Sequence, residues 1–359
     1  MSRVYNFSAG PAALPIEVLE TIREDIPDWQ GTGMSVMEVS HRGQQFVELA
    51  ARCETNLRQL LAIPDEYSVI WTQGGATMQM AMAPLNLAKP SDTVDYVQTG
   101  SWGKKAVGEA ARQCTVNLAA DSSDANFTYI PEEASWQRSD AAAYLHITSN
   151  ETIAGVEFHF VPGGDAPIVA DMSSTILSRP IDVSRYGVIY AGAQKNIGPA
   201  GITLVIVRND LLEPVRDNLP HLMMWKSYAE SDSMTNTPPT FAWYVADLVI
   251  QHLLDHGGLE VMAAVNQRKA NKLYAAIDKS DFYSNPVQKD CRSWMNVPFV
   301  LADATLDGKF LAETHAAGLT NLKGHRSVGG MRASIYNAVA EEAVDALIAF
   351  MSDFERTNG

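Results

Sequence analysis

Lys195 and Asp171 are the two residues whose spacing suggests a chemistry before any fold is considered. The lysine lies in residues 187–208, which read as an apolar strand, a small-residue turn and a second apolar strand. Asn196, Gly198, Pro199 and Gly201 already supply the turn residues, so Lys195 is not needed for it. Ala191, Gly192 and Ala193 leave room for something bulky against the backbone. Asp171 ends the run Ile168-Val-Ala-Asp171, twenty-four residues earlier. Alone, a lysine at a strand end is usually solvated, and an aspartate before Ser-Ser-Thr usually caps a turn. Together they match what pyridoxal 5'-phosphate requires: a lysine to form a Schiff base and an acid to keep the ring nitrogen protonated, making the ring an electron sink.

Such a cofactor also needs a phosphate cup and a flat neighbour. Gly74-Gly75-Ala76-Thr77 lies between a strand pattern and a helix pattern, where backbone N–H groups and the helix dipole point at an anion. Glycine pairs at such turns are also common for steric reasons alone. Trp102, after Thr99-Gly100-Ser101, can stack on a planar ring or simply fill core. His41-Arg42 and His325-Arg326 form a repeated pair beside glycines, and Arg332 follows Gly329-Gly330-Met331. Guanidinium forks suit phosphate and carboxylate, although an isolated arginine is more often a solvated surface group. A serine nucleophile elbow, a His/Cys metal-ligand spacing, a P-loop of the nucleoside-triphosphatase type and a dinucleotide fingerprint are all missing from the sequence.

Bringing these residues together takes a sheet. Strand patterns at residues 68–72, 93–97, 142–148 and 167–171 alternate with helical ones after Gly75 and over 101–112, and the Lys195 unit follows. That rhythm predicts an α/β fold with a mostly parallel sheet between helices. Gly74, Trp102, Thr152, Asp171 and Lys195 all fall just past predicted strands, where functional loops of such sheets belong. Upstream, the apolar spacing predicts helices over 16–29, ended by Gly31 and Gly33, and from Phe46 to Leu61. After Pro238-Pro239 the texture shifts to long helices broken near Gly257-Gly258, then a strand near 294–300 and helices near Phe310 and 340–354, a second and smaller α+β unit.

With 359 residues, two domains are expected. A net charge of -15 argues against nucleic acid or an anionic membrane as partner, so an anionic substrate must be caught by a local basic cluster. Cys53, Cys114 and Cys291 lack a metal-ligand pattern and read as free packing thiols. The Met78, Met80 and Met82 cluster reads as core filler. The first residues lack the apolar core of a signal peptide and no apolar run approaches membrane-spanning length, so a cytoplasmic protein is expected.

The chain resembles the phosphoserine aminotransferases, pyridoxal-phosphate enzymes of the aspartate-aminotransferase fold type (fold type I). The resemblance runs nearly end to end, through Phe7-Ser-Ala-Gly-Pro-Ala-Ala-Leu-Pro15, Met37-Glu-Val-Ser-His-Arg-Gly43, Asn150-Glu-Thr152, residues 173–199, Asn236-Thr-Pro-Pro-Thr-Phe241, and Lys323-Gly-His-Arg326 on to Arg332-Ala-Ser-Ile-Tyr-Asn337. It implies a large domain over 16–255, built on a seven-stranded, mostly parallel sheet, and a small domain from 1–15 and 256–359. Lys195 would then carry the Schiff base, Asp171 the ring nitrogen and Trp102 the stacking face, with Thr152 and Gln194 as polar contacts. Ala76 and Thr77 would bind the phosphate, joined by Asn236 and Thr237 from the partner of a homodimer with shared active sites. His41, Arg42, His325 and Arg326 would hold the substrate's phosphate or glutamate's distal carboxylate, and Arg332 the α-carboxylate. The implied reaction is reversible amino transfer from glutamate to 3-phosphohydroxypyruvate, giving O-phosphoserine and 2-oxoglutarate. Relatives of this type commonly have a second activity, on a phosphorylated hydroxythreonine precursor of vitamin B6. Ala9 stands where a second serine can occur, and Ala76-Thr77 replaces a more Gly- and Arg-containing turn.

Two other readings use the same residues. A different aminotransferase or a cysteine desulfurase would keep the lysine, but small uncharged substrates have no use for the His-Arg set. Cys291 is also not in the flexible Gly/Ser loop of a persulfide carrier. A non-catalytic scaffold would be expected to have lost Lys195 or Asp171, and both are present.

Overall fold

The computed structural model describes residues 3–359. Seven strands make one sheet: β1 (Tyr67–Thr72), β2 (Thr93–Gln98), β3 (Thr115–Asp121), β4 (Leu145–Thr148), β5 (Ile168–Asp171), β6 (Val188–Gly192) and β7 (Thr203–Arg208). Their spatial order is β1-β7-β6-β5-β4-β2-β3. From β3 to β6 every pairing is parallel. β7 runs antiparallel to both β6 and β1. The sheet is therefore mostly parallel, as the alternating sequence pattern predicts.

Both faces are apolar, which is why the strands read as nearly continuous hydrophobic runs. The helices that cover them are α1 (Ile16–Asp25), α2 (Gln44–Leu61), α3 (Gly75–Leu87), α4 (Ser101–Ala110), α5 (Trp225–Ala229) and α6 (Thr240–Asp255). Trp71, Ile147, Ala170, Ile189 and Leu204 pack with α1, α2 and α6 on one face. On the other, Ile70, Tyr96, Val169, Tyr190 and Val205 pack with α3, α4 and α5. Successive strand residues alternate between these two clusters, the period of two that a pleated strand imposes.

The rest of the chain adds α7 (Gly258–Lys279), α8 (Asp307–Ala316) and α9 (Glu341–Asn358). They pack around a three-stranded antiparallel sheet of Tyr283–Ser284, Asn296–Leu301 and Met331–Ser334. Phe7 belongs to this second core, alongside Leu273, Phe299, Phe310 and Leu347. The N-terminal strand Tyr5–Asn6 pairs with Leu319–Thr320 and so ties the chain's start to its last third. Among the described residues no helix is long and apolar enough to cross a membrane.

Two local expectations fail for identifiable reasons. The first helix stops at Asp25 rather than near 29, because Pro27 has no N–H to donate and crowds the preceding turn. Trp29 continues the apolar spacing from a separate short turn, Trp29–Gly31, where it is buried. β3 gave no signal in the sequence because it is an edge strand with most of its residues partly or fully exposed, so Thr115, Asn117 and Asp121 break up its apolar pattern.

Candidate active site

The hairpin between β6 and β7 puts Lys195 at the carboxyl edge of the sheet. Gly192 pairs with Thr203, and residues 193–202 turn between them. The turn is fixed by Ala193 N–H to Ile202 O at 3.1 Å and Gly198 N–H to Ala193 O at 2.8 Å. Gln194 folds back over Gly192, where a Cβ would lie 2.6 Å from its Oε1, so a larger residue there would displace the Gln194 side chain. Gly10 of the N-terminal lead passes over the same turn, and Ala12 donates its N–H to Gln194 O at 2.9 Å. Lys195 is thus enclosed although it sits in a loop; the residue is 8% exposed.

Four of the sequence candidates converge on it. Lys195 Nζ donates to Thr152 Oγ1 at 2.5 Å. It lies 6.0 Å from the centroid of the Trp102 ring. Arg332 Nη1 donates to Thr152 O at 3.3 Å, bringing a guanidinium from the second core to the same wall. Burial pulls the Lys195 amine down to about 8, opposed by the charges of Asp171 and Glu151 and assisted by that of Arg332. Asp171, at the end of β5, is pushed up by burial, with Lys195 and the Ser173 hydrogen bonds holding it down.

The arrangement fits pyridoxal phosphate. Asp171 uses only Oδ1, which accepts from the Ser173 N–H and hydroxyl at 2.9 and 2.6 Å; among the described residues Oδ2 has no donor. A buried carboxylate with one unmatched oxygen is suited to a cationic N–H. The indole Nε1 of Trp102 is buried without a partner. At the start of α3 the cap Gly74 adopts φ 89°, and a helix beginning this way turns its first N–H groups outward to an anion. Thr77 lies in that first turn and accepts a hydrogen bond from Lys105 Nζ at 3.0 Å.

Other candidates stand further out. Gln73 Nε2 donates to Asn236 Oδ1 at 3.3 Å and to Thr237 O at 3.2 Å, so within one chain these two residues flank the entrance to the Gly74-Gly75 turn. His41-Arg42 precedes α2, and His325-Arg326 lies in the turn before Met331–Ser334. Both arginines are exposed. His325 Nδ1 is bonded to Ser327 Oγ at 2.7 Å. Among the described residues no hydrogen bond or ion pair links either His-Arg pair to the other or to Lys195.

Two residues near the site escaped the sequence reading. Glu151 is fully buried, and its carboxylate accepts the N–H groups of Trp102 and Gly103 at the start of α4, at 3.0 and 2.7 Å. Its only sequence signal was a charged residue beside Thr152 in Asn150-Glu-Thr. Lys105 is an exposed lysine whose one available cue is its helical spacing from Trp102.

A buried lysine at the carboxyl edge of a mostly parallel sheet, with a carboxylate on the preceding strand that keeps one oxygen unmatched and an indole opposite, marks a pyridoxal-phosphate-dependent enzyme. The model of the class-V aminotransferases matches residues 4–347. A phosphoserine aminotransferase of Hahella chejuensis is 57% identical over 357 residues, covering 99% of each chain. The solved phosphoserine aminotransferase of Bacillus circulans subsp. alkalophilus superposes with a TM-score of 0.97 at 46% identity, over 99% of both chains. The pyridoxal-phosphate-bound phosphoserine aminotransferase of Trichomonas vaginalis gives 0.94 at 42%, over 98% of this chain and 100% of its own. The chain belongs to the class-V aminotransferases and, within them, to the phosphoserine aminotransferase family.

Proposed function

We propose that the chain transfers the amino group of glutamate reversibly to 3-phosphohydroxypyruvate, forming O-phosphoserine and 2-oxoglutarate. The observation that carries the amino-transfer chemistry is the buried Lys195 amine, held against Thr152 Oγ1 within the Asp171–Trp102 wall and drawn down to about 8. When bound, pyridoxal phosphate supplies the electron sink that makes the Cα proton of an amino acid acidic. The neutral Lys195 Nζ would take that proton from Cα and deliver it to the cofactor's aldehyde carbon, and burial is what keeps a useful fraction of the amine neutral near pH 8. Thr152 orients the amine through its hydroxyl. Asp171 would hold the ring nitrogen through Oδ2, and Trp102 would form a flat wall against the ring.

Anions would be handled at three places. Gly75, Ala76 and Thr77 would take the cofactor's phosphate at the start of α3, with Gln194 as a further polar contact. Arg332 would bind the substrate's α-carboxylate, while His41, Arg42, His325 and Arg326 would serve its distal phosphate or glutamate's distal carboxylate. We assign Asn236 and Thr237 to the neighbouring site of a homodimer; within one chain they lie half-buried to exposed beside Gln73. Residues 16–255 would form the cofactor-binding domain and 1–15 with 256–359 the smaller one, a division supported by the place of Phe7 in the second core. Three unpaired cysteines support a reducing, cytoplasmic setting.

The test is a coupled assay with phosphoserine and 2-oxoglutarate against alanine and unphosphorylated serine as amino donors. Strong preference for phosphoserine is expected. Equal turnover of serine or alanine would overturn the substrate assignment.

A further inference from the structure

The phosphate cup has no positive charge on its own helix. Residues 73–88 contain neither lysine nor arginine, so a phosphate ester dianion at the start of α3 would meet N–H groups and a helix dipole but no cation from that element. Helix dipoles alone contribute about 0.3–1 kcal/mol at exposed ends, a weak hold for a doubly charged group. The missing cation comes from α4. Lys105 Nζ donates to Thr77 Oγ1 at 3.0 Å, and among the described residues this is its only hydrogen bond. The same nitrogen lies 5.5 Å from the centroid of the Trp102 ring. Trp102 and Lys105 are three residues apart on one helix and so face the same way.

We propose that Lys105 is a ligand of the cofactor's phosphate, reaching across from α4 to the N-terminus of α3. The inference rests on reading Gly75–Thr77 as the phosphate cup. An exposed lysine is ordinarily a solvated group, but this one is engaged by two residues of the site, Thr77 and Trp102. Thr77 Oγ1 accepts from Lys105, which leaves its own hydroxyl hydrogen free to donate to a phosphate oxygen. Threonine and lysine then act as a relay of donors on one side of the cup. The other candidate cations are placed elsewhere: Lys104 bears on Asp121, and Arg332 is bonded to the Thr152 carbonyl.

The test titrates apo-protein with pyridoxal 5'-phosphate and, separately, with unphosphorylated pyridoxal, following binding by protein fluorescence and cofactor absorbance. Wild type is compared with Lys105→Met, Lys105→Gln, Lys105→Arg and Lys104→Met. Both neutral variants at 105 should weaken the phosphorylated ligand roughly tenfold, the scale of one charge-assisted contact, and leave pyridoxal unchanged. Lys105→Arg should restore most of the loss, and Lys104→Met should behave as wild type. Equal binding of pyridoxal 5'-phosphate by wild type and the neutral variants would overturn the role of Lys105. So would parallel weakening of both ligands, or an equal loss in Lys104→Met, which would reveal a general field rather than a ligand. If wild type itself shows no preference for the phosphorylated form, it is the cup that fails.

Discussion

The Glu151 carboxylate caps the helix that carries Trp102, accepting the Trp102 N–H at 3.0 Å through Oε2 while Oε1 accepts that of Gly103 at 2.7 Å. The contact requires glycine on the helix side, since a Cβ at Gly100 would lie 2.2 Å from Glu151 Cδ. A carboxylate at this N-terminus also occupies the anion position of α4, whereas among the described residues no side chain caps the start of α3. Glu151→Ala should leave two buried N–H groups unmatched and cost about 2–4 kcal/mol of stability in urea unfolding. Cofactor affinity should fall with it, as Trp102 loses its anchor. Unchanged stability would show that water replaces the carboxylate without penalty.

The pH dependence of the apo-protein follows from Lys195. Its amine titrates at about 8 in the folded chain because burial disfavours the ammonium, against 10.5 when exposed. Between those values the unfolded chain binds more protons than the folded one, so stability should rise with pH across that window and be lost as pH falls through 8. The full effect is of order 3 kcal/mol, since each tenfold loss of proton affinity on folding corresponds to about 1.4 kcal/mol. Lys195→Ala should fold, bind cofactor without its covalent absorbance band, and lose this slope. Its turnover should drop by at least about a thousandfold. A variant with near-wild-type turnover would remove Lys195 from the chemistry.

The lysine, the strand-end aspartate and the glycine turn were legible in the sequence because each breaks a local pattern: a charge in a small-residue turn, an acid ending an apolar run, paired glycines before a helix. Glu151 and Lys105 were not, because their roles depend on pairs far apart in sequence, Glu151 with Trp102 and Lys105 with Thr77. The sheet was readable for the same reason that β3 was not. Central strands buried on both faces announce themselves as apolar runs, whereas an edge strand with exposed positions reads as coil. The end of α1 misled because Trp29 keeps the apolar spacing past Pro27 after the backbone has left the helix.

If Arg42 and Arg326 hold the substrate's distal anion, their exposure separates substrate binding from folding. Arg42 and Arg326 sit on loops, so replacing either with alanine should leave the melting temperature near wild type. Each loss should raise KM for phosphoserine roughly tenfold or more, since one charge-assisted hydrogen-bond donor to an anion is removed. The slow reaction with alanine as amino donor should be untouched, because alanine has no distal anion. If either variant keeps the wild-type KM for phosphoserine, that residue is not part of the distal anion site.

Asn196 links the lysine turn to the second core. Its Oδ1 accepts the backbone N–H of Asn337 at 3.1 Å, and its Nδ2 donates to Ile176 O at 3.0 Å. Asn337 in turn donates to Leu177 O at 2.8 Å and accepts from Asn266 at 2.8 Å. Asn337 follows Tyr336, whose hydroxyl donates to Ala9 O at 2.9 Å, so the N-terminal lead is drawn into the same clasp. Asn196→Ala should cost about 1–3 kcal/mol because it strands a main-chain donor and a carbonyl. It should also lower kcat more than it raises KM, since the turn presenting Lys195 loses its backing while the substrate's anion sites stay intact. Asn266→Ala, one bond further away, should cost comparable stability and spare kcat. In a double-mutant cycle, Asn196→Ala and Asn337→Ala should couple by more than about 0.5 kcal/mol, as members of one network do. Additive losses, or equal kcat effects at 196 and 266, would mean that the clasp stabilises the fold without positioning the lysine.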